Sequence, residues 1–493
     1  MALLAQLLTG LDIIEVKGNP ELEILGIQYD SRQVAPGFLF VAIPGFKTDG
    51  HQYIPAAVTQ GAVALVVEKP VVTTPEMVVI QVPDARQALA RLAAAFCGFP
   101  STQLRVIGVT GTNGKTTTTY LLEAIFQRAG YQVGLLGTIG NRIAKKMLPV
   151  AHTTPESLDL QILLKQMVDV NSDYAVMEVS SHALALNRVE GCEFDVAVFT
   201  NLSQDHLDFH CSMEEYQEAK LRLFERLGSG QKTGPRYAVV NIDDAAGGQF
   251  IQATKAEVVT FGIDQPAQVQ ARNLKITSRG TTFQAVLPEA EIQIDLAFTG
   301  RFSVYNALAA LAVGWKEGIK LSDIQAALAA VRGVPGRFER VDCRQDFTVI
   351  VDYAHTPDGL KNVLSTAREV TRGRIITVFG CGGDRDRTKR PLMGEAVARL
   401  SDYTVVTSDN PRTEDPVKIV EDILPGMWMA DKESFTVILD RRQAIQHALQ
   451  VAQPEDIVII AGKGHENCQL IGDKALPFND REVARELLSE LAE

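Results

Sequence analysis

The spacing of hydrophobic residues predicts a chain of alternating strands and helices. From Leu104 onward, short apolar runs alternate with segments of helical period, the βαβ pattern of a parallel, doubly wound sheet. Residues 268–298 instead alternate apolar and polar side chains around a Ser-Arg-Gly turn, which indicates antiparallel strands. A helix is predicted over about 303–318, and βαβ alternation starts again at residues 347–355. The predicted fold class is therefore α/β, with a small antiparallel sheet beside a central parallel one.

Two clusters of turn-forming residues divide the chain into three predicted domains. The first, Gly98-Phe99-Pro100, follows a predicted alanine-rich helix over residues 84–96, and the second is Gly333-Val334-Pro335-Gly336. A length of 493 residues agrees with about three domains at ~150 residues each. We predict domains over residues 1–98, 99–333 and 334–493.

Composition and charge exclude several classes of protein. Hydrophobic residues make up 46% of the chain and charged residues 22%, which is typical of a globular protein. The formal net charge of −12 has the wrong sign for a protein that coats nucleic acid or an anionic membrane. The six cysteines form no CxxC pair, and no apolar run approaches the ~20 residues of a membrane helix. With no basic segment at its start, the chain is predicted to be cytoplasmic, with reduced thiols.

The strongest single motif is a phosphate-binding loop. Residues 105–130 are predicted to form a strand, a glycine-rich turn and a helix around the sequence TGTNGKTT. Backbone N–H groups of such a turn bind phosphate oxygens, Lys115 can reach the terminal phosphates, and Thr116 can hold Mg²⁺. The loop is a variant, because the generic spacing requires glycine where this chain has Val109. An ATP or GTP site is predicted, and no NKxD-type guanine-reading motif is visible.

Lys220 interrupts the apolar face of a predicted helix. Ser212 and Glu215 form a capping box for a helix over about 213–227, and Lys220 stands on its apolar stripe. One interpretation is a snorkelling lysine with a buried stem and a solvated amine. The other is a desolvated lysine whose neutral amine adds CO₂ to form a metal-binding carbamate. Candidate partners for a Mg²⁺ or Mn²⁺ ion follow apolar strands: Glu178, Asp205, His206, Asp208 and His210.

Several motifs occur together in an order that resembles the Mur ligase family, the ATP-dependent amino-acid ligases of peptidoglycan synthesis. They are TGTNGKTT, HTTPE (152–156), MEVSSHAL, TNLSQDHLDFH and the Lys220 helix. Motifs of the last domain are similar to those of members that add the third residue of the stem peptide: VDYAHTPD (351–358), FGCGGDRDRTKRP (379–391), SDNPRTEDP (408–416) and AGKGHE (461–466). The resemblance spans nearly the whole chain.

The resemblance implies a three-domain fold and a set of substrate contacts. The first domain would bind UDP, the second ATP, and the Rossmann-like third would close over the incoming amino acid. The implied UDP contacts are Ser31, Phe46, Lys47 and Thr48, and those to the muramoyl-dipeptide are Thr153, Thr154, Ser180 and Arg188. Two residues before that arginine the family usually has glutamine, whereas this chain has Leu186.

The resemblance also implies the ATP, metal and catalytic residues. The implied ATP contacts are Gly111, Thr112, Asn113, Gly114, Lys115, Thr116, Thr117, Asn306, Arg337 and Asp352. Thr116 and Glu178 would hold one Mg²⁺, and His206 with carbamylated Lys220 would help to hold a second. Lys115, Glu178, His206 and Lys220 are the implied catalytic residues. His355 has two open interpretations, as a residue that orients its loop or as a structural histidine.

The implied reaction adds meso-diaminopimelate to the D-glutamate γ-carboxylate of UDP-N-acetylmuramoyl-L-alanyl-D-glutamate through an acyl phosphate. The implied contacts to the amino acid are Arg385, Asp409, Asn410, Pro411, Arg412, Gly462 and Glu466. Diaminopimelate differs from lysine by a second carboxylate, which a guanidinium at Arg412 can bind bidentately. Glu466 suits the distal ammonium. A second phosphate loop at AGKGHE is disfavoured, because its lysine lacks a following Ser or Thr.

Three other functions compete with this prediction. Folylpolyglutamate synthetase shares the ATPase architecture but would not be expected to carry DNPR (409–412) or the motifs YDSR (29–32) and GFKTDG (45–50), which match the uridine and diphosphate loops of the Mur ligase family. A P-loop kinase would leave phosphate on the acceptor, whereas a ligase releases it. A silent scaffold would have lost Lys115, Glu178, His206 or Lys220, and all four are present. The predicted partners are small-molecule substrates, without nucleic acid or membrane insertion, and the protein is predicted to be a monomer.

Overall fold

The computed structural model describes residues 1–45, 48–144, 146–150, 152–230, 232–343, 345–429 and 434–492. Each of three successive segments of the chain contributes one main sheet with helices packed against it. The predicted UDP contacts Phe46 and Lys47 lie outside the described residues.

The N-terminal segment forms a mostly parallel sheet in the order β2-β7-β6-β5-β4, in which β2 alone is antiparallel to its neighbour. Its elements are β1 (Ala2–Leu3), α1 (Leu4–Leu7), β2 (Glu15–Lys17), β3 (Glu23–Ile24), β4 (Gly26–Gln28), β5 (Phe38–Val41), α2 (Ile54–Thr59), β6 (Ala62–Val67), β7 (Val78–Gln81) and α3 (Ala85–Phe96). Asp84 accepts hydrogen bonds from two N–H groups at the start of α3, which explains why the alanine-rich helix begins there.

The central segment forms the largest sheet. Its elements are β8 (Arg105–Thr110), α4 (Lys115–Arg128), β9 (Val133–Leu136), β10 (Asn141–Ile143), β11 (Lys146–Leu148), α5 (Ser157–Asp169), β12 (Tyr174–Glu178), α6 (Ser181–Ala185), β13 (Val196–Phe199), α7 (Leu207–His210), α8 (Met213–Glu225), β14 (Tyr237–Asn241), α9 (Gly247–Ala253), β15 (Glu257–Gly262), β16 (Val269–Thr277), β17 (Gly280–Leu287), β18 (Ala290–Leu296), α10 (Arg301–Lys316) and α11 (Leu321–Ala330). The predicted antiparallel strands are confirmed as β16 to β18. They extend the parallel sheet through a short pairing of β15 with β16.

Strand β8 lies between β12 and β13, so three parallel strands end side by side. Helices α4, α10 and α11 contribute to the apolar core on one face of the sheet, and α5, α6 and α8 to that on the other. From β8 the chain continues to β9 and β12 on one side of β8, and it later enters β13 on the other side. That arrangement opens a crevice at the carboxyl ends of the strands, where open α/β sheets bind ligands.

The C-terminal segment forms a Rossmann-like sheet in the order β19-β20-β24-β21-β22-β23. Its elements are β19 (Glu339–Val341), β20 (Thr348–Asp352), α12 (Pro357–Val370), β21 (Ile375–Phe379), α13 (Lys389–Leu400), β22 (Tyr403–Val406), α14 (Pro416–Trp428), β23 (Phe435–Val437), α15 (Arg441–Val451), β24 (Ile457–Ala461), β25 (Cys468–Ile471), β26 (Lys474–Pro477) and α16 (Asp480–Ala492). Strands β20, β21, β22 and β24 are parallel, so the four motifs of this segment lie at one edge.

A fully buried ion pair fastens that edge. Arg441, the first residue of α15, donates two hydrogen bonds of 2.7 Å to Asp480 at the start of α16, and both side chains are completely buried. The same guanidinium donates to the carbonyl oxygen of Ala461 at the end of β24, over 2.9 Å. The pair therefore joins two helices to the strand that precedes the Gly462 loop.

We expect Asp480→Asn to lower the free energy of unfolding of this segment by about 3–5 kcal/mol, because it leaves Arg441 buried without its counter-charge. The measurement is urea unfolding followed by Trp428 fluorescence in a Trp315→Phe background, since these are the two tryptophans of the chain. Arg442→Met is the matched control, because its ion pairs to Glu486 and Glu490 are exposed and contribute less than about 1 kcal/mol. Equal losses in the two variants would contradict the prediction.

Among the helices in the described ranges, none combines the length and the apolar character needed to cross a membrane.

Candidate active site

The phosphate-binding loop lies at the carboxyl end of β8, as predicted from its sequence. Gly111 (φ +146°) and Gly114 (φ +85°) both adopt backbone conformations that favour glycine. A Cβ atom on Gly111 would lie 1.9 Å from Thr200 Oγ1, and one on Gly114 would lie 2.3 Å from Asn306 Oδ1. These two glycines therefore let the loop close against its neighbours. Thr112 Oγ1 forms a 3.1 Å hydrogen bond with the Tyr216 hydroxyl, which ties the loop to α8.

Lys115 begins α4 and folds back over the loop. Its Nζ donates to the carbonyl oxygens of Gly111 and Thr112, at 2.8 Å each. Burial lowers the pKa of this ammonium, and nearby Arg337 lowers it further, although Glu178 and Asp205 act in the opposite direction. The lysine is thus held within the loop that its motif assigns to phosphate.

Glu178 ends β12 and is buried beside the loop. Its Oε2 accepts a 3.0 Å hydrogen bond from Thr116 Oγ1, the second residue of α4. Hard oxygen donors of this kind suit Mg²⁺, which usually takes one or two carboxylates together with phosphate oxygens of a substrate. The residues at this point therefore fit the predicted magnesium ion. No cluster of three or more His, Cys, Asp or Glu side chains suited to a metal is found in the described ranges.

Thr138 is a site residue that the sequence analysis missed. Its backbone N–H donates to Glu178 Oε1 over 2.8 Å, and its hydroxyl donates to Oε2 over 3.0 Å. The same hydroxyl lies 3.1 Å from Thr153 Oγ1. The preceding Gly137 allows this approach, because a Cβ there would lie 2.4 Å from Glu178 Oε1. Thr138 therefore orients the carboxylate and connects it to the predicted dipeptide contacts.

We expect Thr138→Val to lower kcat and to raise the Mg²⁺ concentration at half-maximal rate, by about 10-fold or more. The reason is the loss of a hydrogen bond to a charged group, which contributes about 1.5–3 kcal/mol. Initial rates of phosphate release across a Mg²⁺ series measure both quantities, and Thr138→Ser should restore them. Thr281→Val is the control, because that buried hydroxyl has no hydrogen-bond partner among the described residues. An unchanged Mg²⁺ dependence in Thr138→Val would refute the role.

Lys220 lies within the protein on α8, with 1% of its surface exposed. Half of the predicted capping box is present: Ser212 Oγ accepts from the Glu215 N–H, whereas the Ser212 N–H donates to the His210 carbonyl. The helix ends at Glu225, two residues earlier than predicted. Lys220 Nζ donates to the Gly111 carbonyl over 2.9 Å. In the described part of the chain it forms no salt bridge to a carboxylate. Burial, followed by the charge of Lys115, holds the pKa of Lys220 well below its usual value. The snorkelling interpretation is wrong, because the amine itself is buried.

His206 faces the same region from the loop before α7, in a left-handed conformation (φ +56°). Burial lowers its pKa to about 2, although the neighbouring Asp205 acts in the opposite direction; the charges of His182, Lys220 and Lys115 lower it further. A neutral imidazole is the form that binds metals. Of the two metal candidates on α7, Asp208 lines a cavity together with His206, whereas His210 packs against the rings of Tyr216 and His182.

Asp205 connects the central and C-terminal segments. Its carboxylate lies 3.3 Å from His206 Nε2, 3.4 Å from Lys389 Nζ and 3.9 Å from His355 Nε2. Burial acts to raise the pKa of Asp205, but these three neighbours hold it below its usual value. His355 has a pKa lowered to about 4, chiefly by burial and then by Lys389. Asp205 is thus an ion-pair partner of the last domain, a role that its motif did not indicate.

A cavity of about 330 Å³ separates the loop from the C-terminal segment. Its lining includes these predicted ATP contacts: Asn113, Gly114, Thr116, Thr117, Asn306, Arg337 and Asp352. Arg337 Nη2 donates to Thr116 Oγ1 over 3.1 Å. Burial raises the pKa of Asp352, although its carboxylate accepts the N–H groups of Phe338 and Ala354. The sequence analysis missed Asp358, whose Oδ2 accepts from Asn113 Nδ2 (3.0 Å) and Ser203 Oγ (3.1 Å).

The predicted dipeptide contacts form a hydrogen-bonded group next to Glu178. Thr154 Oγ1 donates to the Glu178 carbonyl over 2.8 Å and accepts from the Ser180 N–H over 3.1 Å. Arg188 Nη1 donates to the Thr154 carbonyl over 3.2 Å, and its Nε lies 3.3 Å from Glu156. The apolar Leu186 only caps the end of α6.

Arg86 links that group to the N-terminal segment. Its guanidinium lies 3.1 Å from the Glu156 carboxylate and donates to the Pro44 carbonyl, just before the predicted diphosphate loop. In that loop Thr48 Oγ1 donates to the Tyr53 hydroxyl, and the other described UDP candidate, Ser31, begins a short 3₁₀ turn after Asp30. Glu156 and Arg86 therefore connect Arg188, a predicted dipeptide contact, to Pro44 of the N-terminal segment.

The predicted amino-acid contacts surround a second cavity, of about 240 Å³. Those that line it are Arg385, Asp409, Asn410, Arg412, Gly462 and Glu466, together with Thr153 and His206 of the central segment. Pro411 does not line this cavity; it packs its carbonyl against Gly383. The cavity therefore takes walls from two segments of the chain.

Arg412 is held in place through its backbone. It has a φ of +52°, which is strained for a residue other than glycine, and it pairs with the strand β25. Its N–H donates to the Leu470 carbonyl (3.0 Å), and its own carbonyl accepts from Gly472 (2.7 Å). Nη1 donates to the Gly383 carbonyl over 2.7 Å. Burial and the neighbouring Arg385 lower the pKa of Arg412 below its very high usual value. Arg385 and Arg412 therefore place two guanidinium groups at this cavity, which Lys389 also lines.

Comparison with known proteins agrees with this geometry. Three family models match: Mur ligase family, catalytic domain (residues 23–97), Mur ligase middle domain (109–314) and Mur ligase, glutamate ligase domain (336–464). The UDP-N-acetylmuramoyl-L-alanyl-D-glutamate--2,6-diaminopimelate ligase of Syntrophomonas wolfei is 50% identical over 485 residues, covering 98% of this chain and 99% of the relative. The chain belongs to the Mur ligase family. The ligase of the same name from Caldanaerobacter subterraneus is 49% identical over 476 residues, with 97% of each chain covered.

Solved structures of Mur ligases share the fold. A structure of a UDP-N-acetylmuramoyl-L-alanyl-D-glutamate--2,6-diaminopimelate ligase has 34% identity and a TM-score of 0.69, and all of both chains is covered. The Thermotoga maritima MurF ligase in complex with ADP has 19% identity and a TM-score of 0.62, covering 94% of this chain and 96% of that one. The latter likeness shows the fold alone. The α/β fold class, the family resemblance and the prediction of a ligase of peptidoglycan synthesis are confirmed.

The folylpolyglutamate alternative shares the fold to a smaller extent. A Mycobacterium tuberculosis folylpolyglutamate synthase complexed with ADP has 20% identity and a TM-score of 0.62, and it covers 76% of this chain and 91% of its own. The much higher identity of the diaminopimelate ligases over the whole chain favours the Mur ligase assignment.

Proposed function

We propose that this Mur ligase joins meso-2,6-diaminopimelate to the D-glutamate γ-carboxylate of UDP-N-acetylmuramoyl-L-alanyl-D-glutamate, with ATP and Mg²⁺ and through an acyl phosphate. The observation that carries the proposal is the 240 Å³ cavity, in which Arg385, Arg412 and Glu466 face His206 of the central segment. The guanidinium groups of Arg385 and Arg412 complement the two carboxylates of diaminopimelate, and the Glu466 carboxylate complements its distal ammonium. The names of the relatives with about 50% identity support this substrate.

The first step brings two anions together, the acceptor carboxylate and the γ-phosphate of ATP. Attack of a carboxylate oxygen on phosphorus forms the acyl phosphate and releases ADP. Lys115 would neutralise phosphate charge, and Arg337, hydrogen-bonded to Thr116, would do so from the C-terminal side. The uncharged amine of the amino acid then attacks the acyl carbon, and phosphate and a proton leave as the amide bond forms.

Thr116 and Glu178 would hold one Mg²⁺, with His206 and Lys220 beside a second. Bound magnesium supplies charge stabilisation for phosphoryl transfer. Lys220 would serve as a carbamate: its neutral amine adds CO₂ and loses a proton, which turns a buried cation into an anion that can bind a metal. The lowered pKa and the absence of a salt bridge among the described residues favour this chemistry. We further propose a monomer that acts in the cytoplasm, in the pathway on which cell shape and division depend.

The test is phosphate release by the purified protein with ATP, Mg²⁺ and the UDP-linked dipeptide, with meso-diaminopimelate, L-lysine or no amino acid. We expect release with meso-diaminopimelate and a product heavier by that residue. Release with L-lysine alone would keep the ligase and overturn the amino-acid assignment. Phosphate retained on the dipeptide without an amino acid would indicate a kinase, and activity on a folate in place of the dipeptide would indicate the folylpolyglutamate alternative.

A further inference from the structure

Lys463 is a charged residue for which the proposed reaction has no role. It lies in the AGKGHE motif after β24, between Gly462 and Glu466, and its side chain is completely buried. Its ammonium donates three hydrogen bonds: to Asn410 Oδ1 (2.9 Å), to Glu466 Oε2 (2.7 Å) and to the Cys468 carbonyl (2.7 Å). An ammonium group has three N–H donors, so these contacts use all of them. The group is therefore unavailable to phosphate.

The contacts of Lys463 fix the orientation of the Asn410 amide. Asn410 Oδ1 accepts from Lys463 Nζ and from the Leu470 N–H (2.9 Å), which leaves its Nδ2 to donate to Glu466 Oε2 (2.8 Å). A reversed amide would place its NH₂ group against two donors, Lys463 Nζ and the Leu470 N–H, and its oxygen against Glu466 Oε2. Glu466 Oε2 thus accepts from two directions and is held in one position.

The other oxygen of Glu466 remains for a ligand. Oε1 accepts no hydrogen bond from the described residues, and Glu466 lines the amino-acid cavity, whereas Lys463 does not. The side chain of Glu466 is 27% exposed, against complete burial of its lysine partner. A carboxylate oxygen presented in this way is suited to an ammonium N–H of the substrate.

We propose that Lys463 is a positioning residue that sets the specificity for a second amino group on the amino-acid substrate. It acts by holding Glu466 Oε1 toward the distal ammonium, and it touches no substrate itself. The inference rests on the proposed function, because it assigns the distal end of a diamino acid to this cavity. The buried ammonium also compensates the negative charge of Glu466 and holds its carboxylate in one position before the substrate arrives.

The experiment compares Lys463→Met with the wild-type enzyme on two amino acids: meso-diaminopimelate, and 2-aminopimelate, which keeps both carboxylates but lacks the distal amine. We expect KM for meso-diaminopimelate to rise on the order of 10- to 100-fold, because a charge-assisted hydrogen bond loses its geometry. KM for 2-aminopimelate, or its Ki where turnover is too slow, should stay within about 3-fold of wild type, as should KM for ATP. Lys474→Met in the exposed strand β26 is the matched control and should change none of these values.

A double variant keeps the test decisive if Lys463→Met does not fold. Lys463→Met/Glu466→Gln removes the charged pair together, and its KM for meso-diaminopimelate should equal that of Glu466→Gln alone, because the lysine acts through Glu466. Additive losses in the double variant, or equal rises of KM for both amino acids, would overturn the proposal in favour of a general structural role. Failure of the wild-type enzyme to use meso-diaminopimelate would instead overturn the proposed function.

Discussion

Replacing Lys220 with methionine should lower the ligase rate by about 10²- to 10³-fold, the loss expected when one charge-stabilising group is removed from a reacting centre. Methionine fills a similar volume, so the apolar packing of α8 should survive. The wild-type enzyme incubated with ¹³C-bicarbonate should show a carbamate carbon signal by NMR that Lys220→Met lacks. Lys220→Ala with added propionate should recover part of the activity, because a small carboxylate can enter the space left by the side chain.

Lys232→Met is the control for buried lysines. Lys232 lies at the opposite edge of the sheet, where its ammonium is paired with Asp195. The carbamate signal and the rate per folded molecule should both persist in this variant. Full activity of the wild-type enzyme after exhaustive removal of CO₂, without a carbamate signal, would show that the carbamate is wrong. It would not restore the snorkelling interpretation, because the amine of Lys220 is buried.

The predictions that succeeded rest on signals within a few residues of one another. The capping pair Ser212 and Glu215 specifies the start of α8, and the polar and apolar alternation of residues 268–298 specifies three antiparallel strands. The position of Lys220 on the stripe of α8 left a solvated and a desolvated amine as alternatives, and the burial of Lys220 in the fold selects the desolvated one. Local geometry of this kind requires no knowledge of the tertiary fold.

The residues that the sequence analysis missed act across long separations. Thr138 stands in an ordinary strand-to-turn sequence, and only the pairing of β12 with β9 brings it to Glu178. Asp358 and Lys389 lie in two of the motifs quoted above and contact the central segment from the C-terminal one, but neither motif indicates which residue it contacts. A single sequence contains no signal for these contacts, because each depends on how two segments pack.

The loops around the amino-acid cavity show the same limit. The motif DNPR was sufficient to predict Arg412 as a contact to the amino acid. The left-handed backbone of Arg412 could not be predicted, because it depends on pairing with Ile471, 59 residues later in the chain. Arg390, fully buried, pairs with both Glu414 and Asp422 and donates to the Gly382 carbonyl, which joins the loops after β21 and β22. The side chains that line this cavity were predictable from the sequence, and the network that orients them was not.

Arg412→Ala should lower kcat/KM for meso-diaminopimelate by about 10²- to 10³-fold, because it removes the group proposed to bind the second carboxylate. Truncating one partner of a buried charge pair costs about 2–5 kcal/mol. For L-lysine, which lacks the second carboxylate, kcat/KM should change by less than about 10-fold. The ratio of the two values, measured by phosphate release, is the quantity that tests Arg412.

Arg387→Met is the matched control, because Arg387 belongs to the same loop as Arg385 but pairs with Asp422 on the surface. It should leave the ratio unchanged. An equal loss on both amino acids in Arg412→Ala would mean that the arginine only holds its loop, through the contact with Gly383. Arg412→Lys keeps the charge but loses the two parallel hydrogen bonds of a guanidinium. Binding of meso-diaminopimelate should be partly restored relative to Arg412→Ala, but the discrimination against L-lysine should remain well below that of the wild-type enzyme.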